Sequence, residues 1–192
     1  HRKFAEWCQS TGRQFIVMYG QCEATARMAY LPWERSLEKI GSMGVAIPGG
    51  SFELIDADGN LITEPGVTGE LRYRGENVTL GYATTAADLV RGDERGGVLT
   101  TGDMAQVDAD GYYTIVGRKK RFVKLFGNRV NLDEAERMLK ARFPQTETAC
   151  AGQDDHLTIF ATDETLLPAM RAYLAEKTGL NPSGFFTKAV AE

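Results

Sequence analysis

The stretch YGQCEATAR, residues 19–27, brings an aromatic ring, a glycine and a carboxylate together within five positions. It overlaps the apolar run QFIVMYG, which predicts a buried strand over 14–20 ending in a tight turn. Tyr19 could stack on a flat ring, Gly20 permits close approach of a backbone, and Glu23 could hold a metal ion. The pattern is typical of a ligand-contacting loop, but a plain strand-to-loop corner with a solvated Glu23 fits it as well.

A second candidate is the TGD triplet that ends at Asp103. A carboxylate that follows a glycine at the start of a strand can accept hydrogen bonds from two neighbouring hydroxyl groups, such as those of a ribose. Gly-Asp pairs also make ordinary turns. Asp103 therefore becomes a candidate for nucleotide binding only in combination with other motifs.

A third candidate is the basic stretch GRKKRFVKLFGNR, residues 117–129, in which six of thirteen positions are Lys or Arg. The whole chain carries a formal net charge of −4. General nucleic-acid binding usually needs a broad basic face, so this local charge indicates a small site or a solvated surface instead. We expect Lys119 and Arg121 to be solvated surface residues.

The composition is that of a globular chain. With 192 residues, 43% of them hydrophobic and 25% charged, it can bury a substantial core. Its apolar runs are too short to cross a bilayer, and the polar N-terminus lacks a signal-peptide pattern. Cys8, Cys22 and Cys150 are widely spaced and odd in number, which disfavours a disulfide scaffold or a zinc site. We expect a cytoplasmic protein.

Two kinds of element must position the first two candidates. Apolar Phe4, Trp7 and Cys8 stand at helical spacing and predict a short amphipathic helix over 2–11. From about residue 45 to 117, short strands alternate with glycine-rich turns, which predicts an antiparallel β-subdomain. Its predicted strands are 52–56, 70–74, 104–108 and 112–116.

The repeated sequences DADGN and DADGY, at 56–60 and 108–112, each lie between two of these strands. The Asp-Gly pair predicts a hairpin turn. A calcium loop is the alternative, but it requires a third ligand, an interior glycine and a distal Glu at fixed offsets, which neither copy has. We therefore predict hairpin turns without calcium.

After Gly117 the pattern changes to that of a small α+β unit. A strand at 121–125 precedes a helix that Asn131 can cap, with Glu134 placed to complete a capping box. The remaining predicted elements are strands at 147–151 and 156–162, a helix at 165–177 and a strand near 185–190. The fold class predicted for the chain is thus α+β, an antiparallel β-subdomain followed by a β-α-β-β-α-β unit.

The motifs YGxxE, GELxxxGxxVxxGY, TGD and GRxxxxVKxxGxRVxxxEAE occur in this order over residues 19–136. Together they strongly resemble the adenylate-forming superfamily of acyl-CoA ligases, peptide-synthetase adenylation domains and luciferases. The resemblance implies that residues 1–119 are the C-terminal portion, a β-subdomain, of a large AMP-binding domain. It also implies that residues 120–192 are the mobile C-terminal domain, truncated before its catalytic-lysine loop.

Such enzymes use ATP and Mg²⁺ to convert a small carboxylic acid to an acyl-adenylate, and then transfer the acyl group to a thiol. By match to the motifs, Tyr19, with Gly20 beside it, would stack on the adenine, and Glu23 would bind the magnesium ion. Asp103 would hold both ribose hydroxyls, and Arg118 would add a contact to the ribose.

The resemblance also implies roles within the basic stretch. Lys120 would be the hinge about which the C-terminal domain moves. Lys124 and Arg129 would be catalytic residues that this movement brings to the active site, and Arg129 could approach a phosphate. Gly127 would leave room for the pantetheine arm of coenzyme A.

The chain departs from the family pattern in several places. Cys22 stands where the family usually has Thr, and Thr100 stands where Arg is common. Residues 1–18 match neither the phosphate loop nor the adenine-flanking segment of the family. Lys188 lies in the strand that precedes the catalytic-lysine loop and is not assigned that role. We therefore expect the chain to be a fragment that does not adenylate alone.

Three functions stay open from the sequence. A lysine at the hinge favours coenzyme A as the acyl acceptor, whereas a carrier-protein pantetheine is the nearest alternative. A degenerate binding module without catalysis is the third, although the retention of Glu23, Asp103, Arg118 and Lys124 together disfavours it. The sequence does not identify the carboxylic acid, and no nucleic-acid partner or membrane span is expected.

Overall fold

The structure, a computed structural model, describes residues 1–191. The chain forms two compact units, His1–Val116 and Gly117–Glu192. The domain boundary inferred from the motifs, after residue 119, stays a prediction. No helix within the described residues is long and apolar enough to span a membrane.

The first unit consists of one helix and two antiparallel sheets. Helix α1 spans Arg2–Ser10. The smaller sheet has the order β1-β2-β3, with strands Val17–Tyr19, Ala29–Leu31 and Val45–Ala46. The larger sheet has the order β5-β4-β6-β7-β8, and its strands in chain order are β4 Ser51–Ile55, β5 Leu61–Ile62, β6 Gly69–Arg74, β7 Val98–Val107 and β8 Tyr113–Arg118. Tyr19 and Asp103, on β1 and β7, therefore belong to different sheets of one unit.

An aromatic cluster fills the core of the first unit. The Phe52 ring lies 5.3 Å from the Tyr73 ring and 5.2 Å from the Tyr113 ring, measured between centroids. Tyr73 is fully buried. The Tyr19 ring lies 6.5 Å from Phe52, so the core supports one side of this candidate residue.

One expectation for this unit was wrong in detail, whereas the short helix predicted over 2–11 is present as α1. The strand predicted as buried over 14–20 is only three residues long and lies at a sheet edge, with Met18 46% exposed. In α1 the buried residues are Ala5 and Cys8, whereas Phe4 and Trp7 are more than half exposed. Apolar spacing located both elements but did not identify which side chains are buried, because that depends on distant chain segments.

The second unit contains a hairpin, two helices and a three-stranded sheet. The hairpin pairs β9, Phe122–Leu125, with β10, Asn128–Asn131. The elements that follow are α2 Leu132–Arg142, β11 Thr148–Gln153, β12 His156–Ala161, α3 Leu167–Thr178 and β13 Phe185–Ala189. In the sheet β11 is antiparallel to β12, and β13 is parallel to β12 because α3 connects these two strands.

Local sequence features explain where α2 begins and which residues of β12 are buried. The Asn131 side chain accepts hydrogen bonds from the backbone N–H groups of Asp133 and Glu134 at 2.9 and 3.4 Å, which confirms the predicted helix cap. Along β12, Leu157 and Ile159 alternate with partly exposed residues and are themselves fully buried. The predicted α+β fold class is confirmed, while β10 is a strand that the sequence did not predict.

Candidate functional site

Two candidates distant in sequence meet in the first unit. The Tyr19 hydroxyl donates a hydrogen bond of 2.6 Å to Asp103 Oδ2, although the residues are 84 positions apart. Asp103 is only 4% exposed. A buried carboxylate needs hydrogen-bond donors around it, so this contact stabilises the Asp103 carboxylate and fixes the position of the Tyr19 hydroxyl.

Gln21 belongs to the same cluster, and sequence reasoning missed it. Its side-chain amide donates to Asp103 Oδ2 and to the Thr101 carbonyl oxygen, each at 3.0 Å. Thr101 in turn donates to the Leu71 carbonyl on β6 at 2.8 Å and accepts from the Asp103 N–H at 3.1 Å. The only sequence signal for Gln21 was its position between two candidate residues on one loop.

Gly20 is required by close backbone packing. A Cβ atom at this position would lie 2.1 Å from the carbonyl oxygen of Ala26 and 2.9 Å from the Cα atom of Arg27. These are backbone atoms, which cannot rotate away. The glycine therefore lets the chain fold back tightly between Tyr19 and the loop that follows it.

Glu23 lies in a 3₁₀ turn, Cys22–Ala24, directly after this tight corner. The Tyr82 hydroxyl donates a hydrogen bond to Glu23 Oε1. The backbone N–H of Thr79 donates to the Glu23 carbonyl oxygen at 2.8 Å. Tyr19 and Glu23, both in the 19–27 loop, thus form hydrogen bonds with different residues, Tyr19 with Asp103 and Glu23 with Tyr82.

The cysteines differ sharply in environment. Cys22 is exposed beside Glu23, while Cys8 and Cys150 are buried. Burial, reinforced by the nearby Glu136 carboxylate, raises the pKa of the Cys150 thiol to about 12. No disulfide forms among them, and the described residues contain no group of three or more His, Cys, Asp or Glu side chains that could hold a metal ion.

The acidic turns are hairpin turns, as predicted. Asp108 accepts the backbone N–H groups of Asp110 and Tyr112 at 3.0 and 2.9 Å. The Lys39 ammonium contacts Asp108 at 2.8 Å and Asp110 at 2.5 Å, and lies 5.0 Å from the centre of the Tyr112 ring. The hydrogen bonds that Lys39 donates, first to Asp108 and then to Asp110, raise the pKa of its ammonium group. A lysine side chain therefore supplies a cation to this turn.

In the second unit, the β9–β10 hairpin brings three candidates together. Lys124 and Arg129 are directly opposite each other in the antiparallel register, and both are exposed. Gly127 lies in the connecting turn with φ of 81°, next to Phe126 with φ of 51°. The Arg129 guanidinium lies 4.1 Å from the centre of the Phe122 ring. Like charges facing across a hairpin repel, so this end of the unit favours an anion.

The other basic candidates lie just before the hairpin. Arg118 ends β8, and Lys120 lies in the exposed 3₁₀ turn Lys119–Arg121. Arg129 also borders an open groove of about 330 Å³ that Met138 and Leu180 line as well. The structure thus gathers Lys124, Gly127 and Arg129 on one hairpin.

Arg121 is a structural residue, contrary to its predicted role as solvated surface. Its guanidinium contacts the carboxylates of Asp133 at 2.7 Å and Glu136 at 2.6 Å. It also donates to the Cys150 carbonyl at 2.8 Å, and the Cys150 N–H donates back to Glu136 at 2.7 Å. Burial opposes the charged form, but the bonds to both acids outweigh it and raise the pKa of Arg121. Arg121 thereby ties the turn before β9 to α2 and β11.

We expect Arg121→Ala to lower the stability of the second unit by about 1–2 kcal/mol, because it leaves two carboxylates that are about a third exposed without their cation. The measurement is urea unfolding followed by far-UV circular dichroism. Lys140→Ala, on the exposed face of α2, is the matched control and should leave the midpoint unchanged. Equal midpoints for both variants would contradict the prediction.

Comparisons with known proteins agree with this arrangement. Residues 1–83 match the sequence profile of the family described as AMP-binding enzyme. Curated relatives align along most of the chain, and solved adenylate-forming enzymes share its fold. The chain belongs to the adenylate-forming superfamily.

The curated relatives are longer than this chain. It is 33% identical over 183 residues to the long-chain-fatty-acid–CoA ligase of Yersinia pestis, covering 88% of the chain and 32% of the relative. It is 32% identical over 148 residues to the indoleacetate–CoA ligase of Aromatoleum aromaticum, covering 75% of the chain and 28% of the relative. The chain therefore spans about a third of the length of these curated relatives.

The solved structure of the Bacillus subtilis o-succinylbenzoate coenzyme A synthetase, in complex with ATP and a magnesium ion, has the same fold. It superposes with a TM-score of 0.68 and 23% sequence identity, covering 97% of this chain and 40% of the synthetase. At this level of identity the similarity defines the fold alone.

Proposed function

We propose that the chain is part of an ATP-dependent ligase that activates a carboxylic acid as an acyl-adenylate and then forms a thioester with coenzyme A. The observation that carries the proposal is the hydrogen bond between Tyr19 and Asp103, which unites two motif residues 84 positions apart. The CoA-ligase relatives support the same class of reaction. We expect the protein in the cytoplasm, where ATP and coenzyme A are available.

The first unit is proposed to hold the nucleoside part of ATP. Asp103 would accept both ribose hydroxyls, since a carboxylate offers about four lone-pair directions and Tyr19 and Gln21 both donate to the same oxygen, Oδ2. Tyr19, with its hydroxyl fixed by this bond, would present its ring to the adenine. Gly20 would keep the backbone at this corner out of the way of the nucleotide.

The residues fit a magnesium ion that is shared with ATP. Mg²⁺ in nucleotide sites is usually held by one or two carboxylates together with the phosphates of the substrate, and not by a protein cage. Glu23 provides one oriented carboxylate, and the described residues offer no cluster of three protein ligands. When bound, the ion would offset the negative charge of the phosphates.

The second unit is proposed to supply cations and room for the thiol acceptor. Lys124 and Arg129, adjacent across the hairpin, would meet phosphate groups, and Gly127 would admit the pantetheine arm. A Cβ atom at Gly127 would have no neighbour within 4 Å, in keeping with an open path there. Lys120 is proposed as the hinge and Arg118 as an additional ribose contact.

The test is ATP–pyrophosphate exchange over a panel of short, branched, long-chain, aromatic and amino acids. It is run on the longest polypeptide that contains these residues and, in parallel, on the 192-residue chain. We expect exchange by the longer polypeptide with one acid class and none by the chain alone, which spans about a third of its relatives. Robust exchange by the chain alone would refute the second expectation.

The acceptor is tested separately, after exchange has identified the acid. Coenzyme A and a pantetheinylated carrier protein are offered to the acyl-adenylate, and the thioester formed is measured. We expect the coenzyme A thioester. Transfer to the carrier protein alone would favour a carrier-loading adenylation domain, and absence of exchange with every acid would favour a binding module without catalysis.

A further inference from the structure

Tyr82 is a motif residue to which the proposed function gives no role. It closes the sequence GELRYRGENVTLGY and lies far from β1 in sequence, yet its hydroxyl donates a hydrogen bond to Glu23 Oε1. Its side chain is otherwise open to solvent, at 66% exposure. A hydrogen bond on such an exposed residue contributes little to folding stability, but it does orient the Glu23 carboxylate.

A second side chain fixes the position of Tyr82. The Arg95 guanidinium lies 4.7 Å from the centre of the Tyr82 ring, within the range of a cation–π contact. The same guanidinium donates to the Thr79 hydroxyl at 2.8 Å, and the Thr79 backbone N–H donates to the Glu23 carbonyl at 2.8 Å. Residues 79–82 thus contact Glu23 twice, once through the Tyr82 side chain and once through the Thr79 backbone.

Local hydrogen bonds hold the loop that runs from residue 80 to residue 94. The Glu94 N–H donates to the Leu80 carbonyl at 2.9 Å, which joins the two ends of this loop. Asp93 accepts the N–H groups of Arg95 and Gly96, each at 2.9 Å. Arg95 is therefore presented to Tyr82 from an ordered turn.

We propose that Tyr82, supported by Arg95, is the positioning residue for the Glu23 carboxylate in metal–nucleotide binding. A carboxylate offers about four lone-pair directions, so a bond from Tyr82 to one oxygen sets the orientation of the group and leaves it able to coordinate a cation. Partners of this kind fix the geometry of a metal ligand without touching the metal. This inference rests on the proposed function, in which Glu23 holds the magnesium ion.

The experiment uses the longest polypeptide that contains these residues and measures binding without any carboxylic acid present. A fluorescent ATP analogue is titrated at increasing Mn²⁺, which replaces Mg²⁺ as the probe. For Tyr82→Phe we expect the Mn²⁺ concentration that gives half-maximal binding to rise about tenfold, the low end of the effect seen when partners of metal ligands are removed. Affinity for the analogue without metal and the melting temperature should stay unchanged.

Three variants sharpen the result. Tyr112→Phe removes a tyrosine hydroxyl in the DADGY turn but keeps the aromatic ring that Arg35 and Lys39 contact, and it should behave as wild type. Arg95→Lys keeps the charge but weakens the contact with the Tyr82 ring. It should raise the Mn²⁺ concentration for half-maximal binding less than Tyr82→Phe does. Glu23→Gln should raise the metal requirement most, and adding Tyr82→Phe to it should have no further effect.

The outcomes separate this inference from the function on which it rests. A strong effect of Glu23→Gln with wild-type metal dependence for Tyr82→Phe would overturn the positioning role and leave the proposed function standing. Wild-type metal dependence for Glu23→Gln would overturn both. A lower melting temperature for Tyr82→Phe without a change in metal dependence would assign Tyr82 a purely structural role.

Discussion

Asp103→Ala is expected to weaken ATP binding by the polypeptide that contains this chain by about 100-fold or more. The proposed ribose contacts are two hydrogen bonds to a charged group, each of which contributes about 1.5–3 kcal/mol, and a tenfold change in affinity corresponds to about 1.4 kcal/mol. The loss also leaves the Tyr19 hydroxyl and the Gln21 amide without their shared acceptor. The measurement is equilibrium titration with a fluorescent ATP analogue.

Two further variants test whether the loss of ATP affinity is due to the charge of Asp103. Asp103→Asn has the same shape and can still accept one bond from Tyr19 or Gln21, so it should fold normally and still bind ATP poorly. Asp58→Ala, in the exposed DADGN turn, is the control and should bind ATP normally. Normal ATP affinity for Asp103→Asn would show that the charge of Asp103 has no part in nucleotide binding.

Gly20→Ala is expected to produce the largest loss of stability, about 3 kcal/mol. The new methyl group would lie 2.1 Å from the Ala26 carbonyl oxygen, so the backbone of the corner would have to move. Overpacking of this kind typically costs about 1–3 kcal/mol and occasionally more. Urea unfolding followed by tryptophan fluorescence measures the effect, because both tryptophans, Trp7 and Trp33, lie in the first unit.

The matched control for this prediction is Gly92→Ala. Its backbone does not adopt a positive φ, and a Cβ atom there would meet no atom within 4 Å. It should therefore unfold at the wild-type urea concentration. A Gly20→Ala variant as stable as Gly92→Ala would mean that the corner tolerates a side chain and that Gly20 is there for another reason.

Sequence predicted best the features that short stretches determine. The cap at Asn131 and the strand predicted at 156–162, observed as β12, depend on residues a few positions apart, and both are confirmed. Strand β10 was missed because its hairpin turn has a positive φ at Phe126, a bulky residue that rarely adopts this conformation. Gly127, which the sequence analysis named only for the pantetheine arm, follows it directly in this turn.

The site shows the same division. Tyr19, Glu23 and Asp103 were recognised because each belongs to a short motif. Gln21 and Tyr82 were not assigned roles because their hydrogen-bond partners lie 82 and 59 positions away in sequence.

Arg121 was wrongly predicted to be a solvated surface residue for the same physical reason. Its charged partners lie 12 and 15 positions away on a helix, and no local pattern indicates that the chain will fold back on them.

The contact of Lys39 with the DADGY turn should determine how this turn responds to metal ions in solution. Lys39 is joined to the turn by the fold itself, and its ammonium reaches both Asp108 and Asp110. A free divalent ion would have to compete with a tethered cation, whose effective concentration is at least on the order of millimolar. The turn therefore has its counterion built into the fold. Neither chelators nor calcium in the buffer should alter its conformation.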